Sequence, residues 1–197
     1  MYKSSFTMLE LIIVIVVAGI LAVTVIPRLE RNRLHAAVQQ VARHLRYTQH
    51  LAMVDDMYDA TEPQWYKAMW RISFRNNNCY VVSSNTDFRF NYDRNESATD
   101  PLTKTLLYSG TDCVQESSDN SDMFLSDKYG IDSIEFENTC GNNRFIAFDY
   151  LGRPHKSLSS VDDFMTAECK VTLHSGLRKG VISVLPETGY VKVVSLD

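Results

Sequence analysis

Apolar and polar positions divide the chain into three regimes. From Phe6 to Ile26 it reads FTMLELIIVIVVAGILAVTVI, 21 residues with a single charge, Glu10. At about 1.5 Å of rise per residue such a helix covers roughly 31 Å, the thickness of a bilayer's hydrocarbon core, so the run predicts a transmembrane helix. A secretory signal would have a shorter apolar region ending in a small-residue cleavage site, whereas here the run passes straight into Pro27-Arg28-Leu29-Glu30-Arg31. Pro27 lacks a backbone donor and its ring clashes with the preceding turn, which predicts a kink. Beyond it Leu34, Val38, Val41, Leu45 and Ala52 recur at helical steps, while Arg31, Arg43, Arg46 and His50 fall largely on other faces. The spacing predicts an amphipathic continuation over residues 27–55 whose apolar stripe packs on the rest of the chain.

Over residues 56–197 the period becomes two. Trp70, Ile72 and Phe74 alternate with Arg71, Ser73 and Arg75, a strand with one buried face; Asn76-Asn77-Asn78 is a turn, and Cys79–Val82 returns as a hairpin partner. Ser83–Lys104 and Thr111–Asp122 are polar and read as long exposed loops around a short strand at Leu106–Tyr108. Ile131–Glu137, Arg144–Asp149, Cys169–His174, Gly180–Leu185 and Tyr190–Ser195 are further strands separated by turn residues. The fold class expected is α+β, a long N-terminal helix, membrane-spanning in its first half, packed against an antiparallel β-sheet domain.

Composition narrows the function. The 197 residues allow the helix and one domain, and a net charge of −4 offers no basic face for nucleic acid. Cys79, Cys113, Cys140 and Cys169 all lie beyond the helix, with no C-x-x-C pair and no zinc-like histidine spacing. They read as two disulfides in an oxidising compartment such as the periplasm. Three connectivities are possible; proximity in sequence favours 79–113 and 140–169.

A carboxylate inside an apolar helix is a functional-site hypothesis by default, and here it sits in a distinctive string. Ser5-Phe6-Thr7-Met8-Leu9-Glu10-Leu11 resembles the class III signal of type IV pilins and type II secretion pseudopilins, with Phe6, Glu10 and Pro27 at that family's spacing. The resemblance implies a leader at residues 1–5, cleavage between Ser5 and Phe6 by a prepilin peptidase, and methylation of the new amine. It also implies a filament-core helix over 6–26 in which Glu10 pairs with the N-terminal amine of a neighbouring subunit. The family usually has Gly where this chain has Ser5. Phe148-Asp149-Tyr150-Leu151-Gly152-Arg153-Pro154 resembles a turn of the H-type minor pseudopilins, which include FimT-type pilins, and Gly180–Val191 with Pro186-Glu187-Thr188-Gly189 resembles their closing hairpin. The fold implied is pilin-like, with two β-sheets after the helix. The partners implied are the peptidase, other pilin subunits, an inner-membrane assembly platform and the lipid bilayer. Lys3 before the span against Arg28, Arg31 and Arg33 after it would place the domain in the cytoplasm. The resemblance and the cysteines place it instead in the periplasm of a bacterium, behind a single-pass inner-membrane helix.

No nucleophile, metalloprotease or phosphate-loop motif is present, and no cofactor or enzyme activity is expected. His35, His44 and His50 read as solvated positions on the helix. Asp119, Asp122, Asp127 and Asp132 could supply oxygen ligands to calcium but lack EF-hand spacing, so a solvated acidic loop is the simpler reading. Asn95, in Asp93-Arg94-Asn95-Glu96-Ser97, is a possible glycosylation acceptor and resembles the longer acidic sequon of bacterial N-glycosylation. The function expected is a minor pilin or pseudopilin subunit. The alternative is a single-span, membrane-anchored periplasmic binding module that does not polymerise.

Overall fold

The computed structural model describes residues 7–75, 78–89 and 93–196, with the backbone alone for residues 22–31. Helix α1, Met8–Val54, is one element of 47 residues. Its start is fixed by Thr7, whose side chain accepts a hydrogen bond from the Glu10 amide at 3.3 Å. Thr7 and Glu10 therefore stand at the two ends of a T-x-x-E capping motif. Pro27 lies inside α1 without ending it; its side chain, like Ser5 and Phe6, lies outside the described residues.

The membrane-spanning first half expected of this helix is corrected. Among the described residues no helix is long and apolar enough to cross a membrane. The described apolar side chains run from Met8 to Leu21, about 21 Å of helix against roughly 30 Å of hydrocarbon, and Glu10 interrupts them. The single-pass inner-membrane location expected for the chain, with its domain in the periplasm, therefore lacks support.

After α1 the chain forms two four-stranded antiparallel sheets. The first has the order β2 (Tyr80–Ser83), β1 (Arg71–Phe74), β4 (Phe145–Phe148), β5 (Pro154–His155). The second has the order β3 (Ser133–Phe136), β6 (Cys169–Ser175), β7 (Arg178–Val184), β8 (Val191–Leu196). A short helix α2, Leu125–Tyr129, precedes β3. The C-terminal half of α1 packs on both sheets, burying Leu34, Ala37, Val38, Val41, Ala42, Leu45 and Ala52 against Ile72, Ile146, Val171, Ile182 and Val184. Contact with β7 is close because Gly180 has no Cβ; one added there would collide with the Val38 side chain.

The first sheet departs from the alternation read in the sequence. β1, β2 and β4 are buried on both faces, and Arg71 and Ser73, expected to face solvent, are 2% exposed. A second apolar cluster of Met69, Phe145, Ala147 and Leu158, with Trp65 and Tyr66 beside it, covers the face away from α1. In the second sheet β8 is an edge. A register shift at Val181/Ile182 leaves Val194 bulged, which breaks the continuity of that edge. The cysteines pair 79–113 and 140–169, with Cα separations of 5.8 and 4.7 Å.

Candidate functional site

α1 changes character along its length. From Leu34 to Ala52 its apolar stripe is buried, but from Leu11 to Leu21 every large apolar side chain is 49–62% exposed. Exposure on all sides is what a helix free of neighbours shows, and a helix apolar all round normally lies inside an assembly or a core. Glu10 is the single carboxylate in this segment, exposed beside the helix start, where the partial positive charge of the helix end favours an anion. The cap bond itself is made by the Glu10 backbone amide, and its carboxylate gains only this favourable placement beside the role implied by the resemblance.

The two motif-bearing turns meet each other and α1. Asp149, 1% exposed, accepts from the Leu151 amide at 3.0 Å, the Arg153 amide at 2.8 Å and Arg153 Nε at 2.7 Å. Burial pushes its carboxyl up, but the His155 imidazole 3.6 Å away and the bonds from Arg153 outweigh this and hold it below the usual carboxylate range. Gln49 of α1 then bridges both turns, its Nε2 donating to Gly152 O and to Thr188 O, each at 2.8 Å. Gly189 has φ +63° and its Cα faces Gly152 O and Gln49 Nε2 with no room for a Cβ. These turns fasten the helix to the sheets and show no reactive group.

A buried polar network, invisible to the motif search, fastens the other side of α1. His44, read as solvated, is 2% exposed. Its Nδ1 lies 2.7 Å from Tyr80 Oη and its Nε2 3.0 Å from Gln40 Nε2, so both ring nitrogens are engaged. Burial, with Arg43 beside it, lowers its pKa to about 4. Asp100, 3.9 Å from His44 Nε2, accepts from the amides of Leu102 at 2.8 Å and Thr103 at 3.3 Å and from Asn120 Nδ2 at 2.9 Å. Asp122 accepts from Tyr129 Oη at 2.7 Å and pairs with Lys128; burial raises its pKa, but these bonds win and hold it low. The sequence signal was the step of four through Gln40, His44 and Thr48, which shares a face with the apolar stripe.

This network reshapes the segments expected to be long exposed loops. Val82 N donates to Leu107 O at 3.0 Å, Leu107 N to Ala98 O at 2.8 Å and Asn120 N to Leu106 O at 2.8 Å. The carboxylates weighed for calcium are dispersed. Asp119 pairs with Arg94 at 2.5 Å, Asp122 with Lys128, and Asp132 accepts from Gly176 N at 2.6 Å. Asp127 is exposed. Among the described residues no group of three such ligands stands in metal-binding geometry. Asn95 is exposed in the short turn Arg94–Glu96. Arg94 is held by Asp119, Glu116 and the Tyr108 ring, and Arg89 is exposed beside Asp87.

No protein-family profile, no curated protein and no solved structure matches the chain. The expected pseudopilin and secretion assignments are therefore corrected to what stands above: a helix with a bare apolar end, two sheets and two disulfides.

Proposed function

We propose that the chain is a structural subunit of a pilin-type filament, joined to its neighbours through the apolar end of α1. One observation carries this reading: nine large apolar side chains between Leu11 and Leu21, all about half exposed, on a helix whose other end is docked in a folded domain. Each Leu, Ile or Val fully removed from water contributes about 1.5–3 kcal/mol, so side-by-side packing of such segments releases free energy on the scale of a domain core. Glu10 then enters an apolar interior, where an unpaired carboxylate is costly and a cation at the same depth is needed. The N-terminal amine that cleavage before Phe6 would create on a neighbouring subunit supplies that cation.

Sheared surface fractions from cells carrying wild type or Glu10→Ala test the reading. We expect wild-type chains in filaments, beginning at N-methylated Phe6 by mass and N-terminal sequence, and the variant expressed but absent from them. Glu10→Ala in filaments at wild-type level would remove the pairing role. A chain that keeps Met1–Ser5 and forms no filaments would favour a non-polymerising binding module.

A further inference from the structure

β7 gives the domain a direction along α1. Gly180, near its start, lies against Val38. Val191, paired with Val184 at its end, accepts from Arg46 Nε and Nη2 at 3.3 and 3.0 Å, and the turn after it reaches Gln49. The β6–β7 turn at Gly176-Leu177 therefore projects past Val38 toward the apolar segment. At the other end of the domain, Trp70 Nε1 donates to Asp55 Oδ2 at 3.0 Å. Val38 and Asp55 are about 26 Å apart along the helix.

The two ends are chemical complements. At the lower end Leu177 is 106% exposed, followed by Arg178, partly exposed, and Lys179, exposed. At the upper end Tyr58 packs on Trp65 and Tyr150 with ring centroids 5.0 and 5.3 Å apart, and Tyr58 remains 49% exposed. Asp56, Asp59 and Glu62 belong to the same segment as Tyr58 and Trp65, each accepting only from neighbouring groups of its own turn: the amides of Tyr58, Thr61 and Gln64, at 2.8, 2.8 and 2.9 Å, and the Thr61 hydroxyl at 2.6 Å. The nearby Lys67 ammonium donates to Gln64 Oε1 at 2.8 Å. Among the described residues neither the two cations nor the three carboxylates have an ion-pair partner.

We propose that these ends are two halves of one contact between copies of this chain. The Leu177–Lys179 turn of one copy seats on the Tyr58 and Trp65 rings of the next, with Arg178 and Lys179 facing Asp56, Asp59 and Glu62. Two different patches on one chain make a heterologous contact, which propagates as an open filament rather than closing into a dimer. The rings supply apolar area at the centre and the charges supply register and partner choice. The contact rests on the filament reading and adds to it that this subunit can follow itself, since a subunit confined to a tip would use only one of the two surfaces.

Full-length chains, half of them labelled with heavy nitrogen, are assembled, and carboxylates are coupled to amines by a zero-length carbodiimide. Peptide mass spectrometry should find Lys179 joined to Asp56, Asp59 or Glu62 in mixed-isotope pairs. Arg178→Glu with Lys179→Glu should lower assembly about tenfold, the effect of roughly 1.4 kcal/mol from two reversed surface pairs. Adding Asp56→Lys and Asp59→Lys to the same chain should restore it. Assembly unchanged by the reversal, with cross-links confined to α1, would overturn the head-to-tail contact and leave the apolar-core reading standing. Wild-type chains that form no assembly would overturn both.

Discussion

Burial holds the His44 imidazole at a pKa of about 4, well under its ordinary 6.5. An unfolded chain takes up this proton near pH 6.5 and the folded domain resists it down to about 4. Stability from this group is therefore complete above about pH 6.5 and is lost as pH falls through that window. The loss is on the order of 3 kcal/mol. Asp122 and Asp149, whose carboxyls are held below their usual range, add losses only at lower pH. We expect denaturant unfolding of the wild type to weaken between pH 7 and pH 4.5, and His44→Gln, which keeps a neutral polar group there, to flatten that change. An equal slope in the variant would exclude His44 as the source. Gly189 tests the joint between the two turns. Gly189→Ala puts a methyl against Gly152 O at φ +63°, and we expect it to cost about 2–4 kcal/mol, read as a lowered thermal midpoint. The sequence placed Gly189 in a turn and His44 on the helix, but it named the contact partner of neither. A histidine on an amphipathic stripe reads as solvated unless its partner is known, and Tyr80 lies 36 residues away.

The strands fall into a legible and an illegible group for one physical reason. β6 keeps alternating burial because one face of the second sheet stays near solvent, and the reading Cys169–His174 lies within one residue of it. β1 carries Arg71 and Ser73 on a face that the Met69, Phe145 and Leu158 cluster covers, so its polar residues mark no surface. β5 has two residues and α2 five, too few to show a period. The region between β2 and α2 is held by single bridges, such as Ser83 to Ser97 and Thr99 to Leu106, and by the Cys79–Cys113 link. None of these leaves a pattern along the chain. The links can be weighed separately. Cys140–Cys169 closes a loop of 29 residues beside β6, and replacing both cysteines by serine should cost about 3–4 kcal/mol on the chain-entropy account. We expect one cooperative unfolding transition at lower denaturant. A midpoint equal to that of the wild type would mean that β3 and β7 already hold β6 without the bridge.

On the scale of the whole molecule, α1 has an exposed part and a buried part, and the division falls between Leu21 and Leu34. The described side chains from Thr7 to Leu21 are exposed, whereas Leu34 is 1% exposed and every later apolar position of the stripe is buried. The first segment therefore contributes nothing to the core that the described residues show, and the second is inseparable from it. A chain starting at Asn32 keeps Leu34, Val38, the Gln49 bridge and the His44 network. It should melt within about 3 °C of the full-length protein, because none of the described side chains it removes is buried. If the proposed filament reading holds, it should also lose association through the apolar segment. Sedimentation at equal concentration should show the shortened chain as a monomer and the full chain, in mild detergent, as a larger species. The head-to-tail contact is retained in the shortened chain but is ionic in part, so any residual association should weaken between about 0.05 and 0.5 M salt as the screening length shrinks. A large drop in melting temperature would instead place part of the core ahead of Leu34. Full association without the apolar segment would move the assembly surface entirely onto the domain, and with it the reason for a helix that is bare for its first four turns.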